Sequence, residues 1–442
     1  MIIKIYNAYI IDPFTDKEAV ADIVVENGII SRLIFKSQAL SLKPDTKPSA
    51  LNIKPDLIEI DARGLYVFPG LIDMHAHLRE PGYEYKETIR TGTLAAVKGG
   101  FTSVCCMANT NPVNDNPEVT YYILAKANEE GNCDVYPIGA ITKGLKGEEL
   151  SEMAMLRQAG CVAFSDDGMP VMNAMIMRRA LEYSKAVGAP IISHCEDLFL
   201  SENGAMNEGK LSFYMGLKGI PRAAEEVMVA RDIILCKHFH APLHIAHVST
   251  KGSVDLIKKA KEEGVPVTAE TCPHYFSLTE EAVRDYNTNA KVNPPLRTEQ
   301  DREAIKEALK EAVVDVIATD HAPHSLDDKN TPFQEAANGI SGLETALALS
   351  LKLVHDKVLT LRQLIEKFTV NPANILKINK SGIKEKAEAD LIVVDINRQW
   401  TVKKEEFVSM GKNTPFDGWQ LKGKVLMTVK GRKFFNMWQE DK

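Results

Sequence analysis

Apolar and polar positions follow three regimes along the chain. Up to about residue 62 they alternate in short segments: Ile2–Asn7, Ala21–Gly28, Ile29–Phe35 and Leu57–Asp61. A period of two marks strands with one covered face. Asn27-Gly28, between two such segments, is a hairpin signal. Residues 36–56, with Ser, Lys and Pro, read as a solvated loop inside a small antiparallel unit. From about 65 to 380 the pattern becomes strand, helix, strand, helix. Eight apolar runs fit buried parallel strands: Tyr66–Met74, Phe101–Met107, Asp134–Ile141, Cys161–Phe164, Pro190–Ser193, Pro242–Ala246, Pro266–Thr271 and Asp315–Ala318. Between them, Met177, Ala180, Leu181 and Ser184 share a helical face, and Gly188-Ala-Pro190 stops that helix. Ala223, Val227, Ala230 and Ile234 are spaced as a second face after Pro221. A helical segment over Gly342–Leu376 closes the region. From about 383 strands return, at Ala389–Asp395, Gln399–Val402 and Lys424–Gly431. The pattern predicts an α/β chain: a closed (β/α)₈ barrel over residues 63–382, and a small β-sandwich domain built from both ends, 1–62 and 383–442.

Composition narrows the function. The 442 residues are 45% hydrophobic and 26% charged, enough for a large core, and 53 basic against 60 acidic residues leave a net charge of −7. That balance argues against a nucleic-acid or anionic-membrane surface. No run of about 20 apolar residues is present to cross a bilayer. The start, MIIKIYNAYIIDPF, lacks the layout of a signal peptide. Seven scattered Cys read as reduced core thiols of a cytoplasmic protein, Cys105-Cys106 among them.

Barrel enzymes carry their chemistry at the C-terminal ends of the strands. Strand one ends in Asp73–Pro81, where parity points His75 and His77 to one side and adds Arg79. Later ends contribute Asn109, the pair Asp166-Asp167, His194, His247, Asn293 and Asp320. Four His with carboxylates form a ligand set suited to Zn²⁺, singly or as a pair bridged by a carboxylate, with no converging cysteine. Asp166 and Asp167 compete for one role that parity does not settle. His244 reads as structural, and so does His274.

With these residues in view, the chain resembles the dihydroorotases of the amidohydrolase superfamily, in their long bacterial class. Asp73–Pro81 and Ala318–Lys329 match the family's two signature stretches, and the resemblance extends to Lys412–Gly418 near the C-terminus. It implies one or two zinc ions per chain. His75, His77 and Asp320 would hold the more buried one, His194 and His247 a second. Many relatives bridge the pair with a carboxylated lysine; here the resemblance assigns Asp167. Arg79, Asn109 and His324 match residues that hold a substrate carboxylate, and Asn293 matches a substrate contact. The implied reaction interconverts N-carbamoyl-L-aspartate and (S)-dihydroorotate, with Asp320 as proton shuttle. Elementary chemistry agrees: opening a cyclic amide at neutral pH needs an activated water and a nearby base. An allantoinase or hydantoinase is the nearest rival, but allantoin has no carboxylate for Arg79 to grip. A non-catalytic barrel that scaffolds a partner would be expected to lose metal ligands, and none is missing here. The stretch Pro323–Phe333 is expected to be a mobile loop carrying His324 over the substrate. Oligomeric state is left open, including a homodimer and an association with aspartate transcarbamoylase.

Overall fold

Eight parallel strands follow one another in sequence order round a barrel: Leu71–Ala76, Phe101–Cys106, Asp134–Gly139, Ala163–Phe164, Ile191–Ser193, Leu243–Ile245, Val267–Thr271 and Val316–Ile317. Seven fall within their predicted runs, and the first, Leu71–Ala76, runs two residues past the predicted end at Met74. The computed structural model describes residues 1–36 and 51–438. Every residue of Leu71–Ala76 and of Phe101–Cys106 is buried, as expected of strands covered on both faces. The last strand meets the first through backbone and side chain together. Ala76 bridges His321, and the His77 amide donates to the His321 carbonyl at 2.8 Å. The buried Asp73 carboxylate accepts from both the backbone amide and the hydroxyl of Thr319. Burial pushes Asp73 up to about 7 against those hydrogen bonds and His75. The two faces of the barrel closure are thus fixed directly beneath the site.

The helices pack outside. In Ala174–Val187 the predicted residues Met177, Ala180, Leu181 and Ser184 are all buried, with Ile176 beside them. In Ala223–Phe239 the predicted face is wrong. The helix buries Ala224, Met228, Val229 and Cys236, while Val227 and Ile234 are exposed. Apolar residues lie on both sides of this helix, so spacing alone could not choose the inner one. The closing helical segment is three helices, Ala346–His355, Leu361–Phe368 and Val370–Leu376.

The chain ends join in one nine-stranded sheet made of Ile2–Asp12, Lys17–Glu26, Ile29–Phe35, Asn52–Lys54, Leu57–Asp61, Tyr66–Pro69, Asp390–Thr401, Gln420–Lys430 and Lys433–Asn436. It is mixed, not purely antiparallel: Ile2–Asp12 runs parallel to Leu57–Asp61 and to Tyr66–Pro69. The predicted run Tyr66–Met74 is split. Its first part pairs with Asp390–Thr401 in the terminal sheet, Phe68 opposite Ile392, and its second part opens the barrel. Gly70 stands at the break because a Cβ there would lie 2.0 Å from Thr102 Oγ1 and 2.1 Å from Asp390 Oδ1. Of the predicted loop 36–56, Asn52–Lys54 is a strand, and 37–50 lie outside the described residues. All seven cysteines are free and buried. Among the described residues no helix is long and apolar enough to cross a membrane.

Candidate metal centre and active site

His75, the penultimate residue of the first barrel strand, is buried, with a carboxylate bonded at one ring nitrogen and two more facing the other. Its Nδ1 lies 2.6 Å from Glu270 on the seventh strand, and its Nε2 lies 3.3 Å from Asp167 and 3.6 Å from Asp320. His77, two residues on, places Nε2 3.2 Å from Asp320 Oδ1 and 3.4 Å from Asp167 Oδ2, with Nδ1 2.9 Å from Asn109. From the other side, His194 Nδ1 and His247 Nε2 approach each other to 2.9 Å. They lie 3.5 and 3.2 Å from Asp167 Oδ1. Asp167 therefore sits among all four imidazoles, one oxygen facing His75, His194 and His247, the other facing His77. Asp166 points elsewhere: it accepts from the amides of Ile141 at 2.7 Å and Thr142 at 3.0 Å.

The electrostatics follow from this crowding. Burial opposes the Asp167 charge, but the nearby His75, with His194 and His247 close to the same carboxylate, holds it well below the usual carboxylate range. Burial likewise opposes the Asp320 charge, and His77 and His75 outweigh it, holding Asp320 at about 2. His194 is driven up to about 10 by Asp167 and Glu196 against its own desolvation. Closely set anions thus draw protons onto imidazoles, and a divalent cation would replace those protons. His75 Nε2, buried among these carboxylates, has no hydrogen-bond partner. An orphaned imidazole nitrogen facing two carboxylates fits a metal ligand. Two trios, His75 with Asp167 and His247, and His75 with His77 and Asp320, bring their ligand atoms within 4.8 Å of one another.

Three of the site residues adopt left-handed backbone conformations that non-glycine residues usually avoid: Arg79 at φ 63°, His247 at φ 33° and Asp320 at φ 46°. Each costs on the order of 1 kcal/mol. The barrel rim holds them, for instance by the His321 amide on Thr319 Oγ1 at 3.0 Å and the Ala322 amide on the Ile340 carbonyl at 2.9 Å.

Above the imidazoles lies a cavity of about 180 Å³, lined by His77, Arg79, Asn109, Asp167, His194, His247, Asn293, Asp320 and His324. Every predicted site residue except the deeper His75 reaches it. Gly168, Ala322, Asn338 and Gly339 complete the wall. Arg79 donates Nε to the Pro323 carbonyl at 3.2 Å, and its Nη2 lies 3.2 Å from His324 Nε2. Desolvation lowers its pKa, while a guanidinium in a protein keeps its charge. The stretch Pro323–Phe333 carries secondary structure and hydrogen bonds of its own. Leu326–Lys329 is a short helix, and the buried Lys329 ammonium donates to the carbonyls of Ala337 at 2.7 Å and Gly339 at 3.0 Å. Asn413, from the Lys412–Gly418 stretch, accepts from the His324 amide at 2.9 Å.

Several neighbours escaped the sequence reading. Glu270 holds His75 and also His244, at 3.3 Å; His244 in turn meets Thr268 at 2.8 Å. A carboxylate inside the apolar run Pro266–Thr271 was the available signal. Glu196 holds His194 Nε2 at 3.1 Å and accepts from Asn293 at 2.8 Å. The expectation that no cysteine converges is corrected: Cys272 and His274 approach Asp320, with ligand atoms within 4.8 Å. His274 Nε2 is buried without a hydrogen-bond partner, and desolvation pushes its pKa down to about 4.

The sequence model described as Dihydro-orotase-like matches residues 64–253. The chain is 54% identical over 433 residues to the dihydroorotase of Geobacter metallireducens, covering 98% of this chain and 99% of that one. It is 53% identical to the dihydroorotase of Syntrophus aciditrophicus, covering 98% of each. Among solved structures, the L-hydantoinase (dihydropyrimidinase) from Arthrobacter aurescens has a TM-score of 0.84 at 23% identity, over 98% of this chain and 95% of that one. A D-hydantoinase (dihydropyrimidinase) from Thermus sp. has a TM-score of 0.74 at 24% identity, over 98% and 96%. At that identity the hydantoinases share the fold.

Proposed function

The chain belongs to the dihydroorotase family of cyclic-amide hydrolases in pyrimidine biosynthesis, and we infer from this premise how its own residues carry the reaction between (S)-dihydroorotate and N-carbamoyl-L-aspartate. One or two zinc ions per chain would be held here: one by His75, His77 and Asp320, a second by His194 and His247, with Asp167 available to both. Bound Zn²⁺ supplies Lewis acidity and brings the pKa of a water towards about 7. The protein supplies position and proton transfer. Water attacks the ring carbonyl carbon, and the bond from that carbon to the ring nitrogen breaks. Asp320 takes one proton from the water and hands it to the departing nitrogen, completing a ureido group; the new carboxylic acid releases the water's second proton to solvent and leaves as a carboxylate. In the cyclising direction, protonated Asp320 gives its proton to the departing oxygen. Asn109 and Asn293 border the same cavity as donors to the substrate's polar edges.

The observation that carries the substrate assignment is Arg79. It is a charged guanidinium beside the centre whose Nε donates to the Pro323 carbonyl and whose Nη2 faces His324 Nε2 at 3.2 Å, with no carboxylate among the described residues bonded to it. Paired with His324, it suits the free carboxylate of dihydroorotate. Arg79→Met removes a charge-assisted pair worth about 2–5 kcal/mol, so kcat/KM for dihydroorotate should fall roughly 30- to 5,000-fold. Near-normal kcat/KM would rule the clamp out.

A further inference from the structure

Lys86 lies in the turn after the first barrel strand, with its side chain 14% exposed. Its ammonium stands 5.8 and 5.4 Å from the ring centres of Tyr83 and Tyr85, 3.4 Å from Asp328 Oδ1 and 3.2 Å from His324 Nδ1. An ammonium has hydrogens to donate and no lone pair. His324 Nδ1 must therefore accept. A neutral imidazole carries one hydrogen, which leaves it on Nε2. The other side of the ring agrees: Nε2 lies 2.9 Å from the carbonyl oxygen of Asn338, which can only accept. Desolvation and the cations Arg79, Lys86 and Lys329 push His324 down to about 2, so the ring is neutral.

The consequence falls on Arg79. Its Nη2 is 3.2 Å from a ring nitrogen that already bears hydrogen, so donor faces donor and the guanidinium fork is not consumed by His324. An anion between the two accepts from the Arg79 fork and shares the single Nε2–H hydrogen with the Asn338 carbonyl. The opposite tautomer would undo this. With hydrogen on Nδ1, the ring could point it at Asp328 Oδ2, 3.8 Å away, and Nε2 would accept from Arg79. The clamp would then close on itself.

We propose that Lys86 is a positioning residue for substrate binding: its ammonium holds His324 in the Nε2–H tautomer, so that His324 and Arg79 present only donors to the substrate carboxylate. The proposal rests on reading Arg79 and His324 as the carboxylate clamp, and it adds the group that keeps that clamp open.

Long-range ¹H–¹⁵N spectra of ¹⁵N-histidine-labelled zinc enzyme read the tautomer directly, with His324 assigned by the signal missing in His324→Asn. Wild type should show Nε2–H at His324. Lys86→Met should populate Nδ1–H and raise KM for dihydroorotate about 10- to 100-fold, with kcat within about threefold. Lys86→Arg, also a pure donor, should restore both tautomer and KM. A wild-type Nδ1–H tautomer overturns the proposal without any variant. So does a Lys86→Met enzyme with unchanged tautomer, even if KM rises, since loss of a nearby charge alone would do that. Arg79→Met, run in parallel, separates the two readings. If it raises KM while Lys86→Met changes nothing, the clamp stands and the role of Lys86 falls. If Arg79→Met leaves KM unchanged, the clamp fails, and the role of Lys86 fails with it.

Discussion

Replacing Asp320 with Asn isolates proton transfer with little change in shape. Asn tolerates the left-handed backbone that Asp320 adopts at φ 46°. It also keeps an oxygen for the His77 contact at 3.2 Å. A carboxylate at a strand end could instead serve to cap the next turn, but the neighbouring amides are spoken for: His321 donates to Thr319 Oγ1 and Ala322 to the Ile340 carbonyl. Loss of a cap is therefore not expected, and stability should change by less than about 1 kcal/mol. Loss of the base should slow hydrolysis 10²- to 10⁴-fold, equivalent to about 2.7–5.5 kcal/mol of barrier. The assay is steady-state turnover in both directions, with metal content measured on the same sample because Asp320 also faces His75 and His77. The equilibrium constant belongs to the reactants, so kcat/KM must fall by the same factor in both directions. An Asp320→Asn enzyme that folds normally, keeps its metal and hydrolyses dihydroorotate within about tenfold of wild type would refute the shuttle.

Other substitutions probe separate parts of the account. Asp167→Ala should lower bound metal towards one ion per chain or fewer. Asp166→Ala should leave metal content unchanged and lower stability, since unsatisfied buried donors at Ile141 and Thr142 cost about 1–3 kcal/mol each; the reverse pattern would exchange their roles. Glu344 tests the fold's response to pH. Burial raises its carboxyl to about 7, against Lys98 and the amides of Ser409 and Val408. The native state then holds a proton that the unfolded chain releases near the ordinary 4.5, so this group makes stability fall as pH rises from about 4.5 to 7. Glu344→Gln should be near neutral below pH 5 and stabilising by about 3 kcal/mol at pH 8. Denaturant unfolding at the two pH values reads it, and equal effects at both would contradict it.

Most of the barrel was legible because parallel strands covered on both faces appear as unbroken apolar runs. His75 and His77 were legible because a strand's parity puts them on one side. Parity fails at Asp166-Asp167, which lie beyond the end of the short strand Ala163–Phe164, where strand alternation no longer applies. It also could not find Gly70, where one apolar run serves two sheets. The partners that orient the ligands were hidden for a different reason. His75 and Glu270 are 195 residues apart, and only the closed barrel makes them neighbours. Lys86 and His324, 238 apart, meet in the same way. Cys272 looked like one more buried thiol until the rim brought it to Asp320.

The central claim is that the His and Asp residues at the barrel mouth hold metal that the dihydroorotase reaction requires. Its most direct measurement is a titration of exhaustively chelated protein with Zn²⁺, following dihydroorotate hydrolysis and bound metal together. Activity should start at background, rise in proportion to bound zinc and level off at one or two ions per chain. Full hydrolysis by the metal-free protein, or restored zinc without restored turnover, would contradict it.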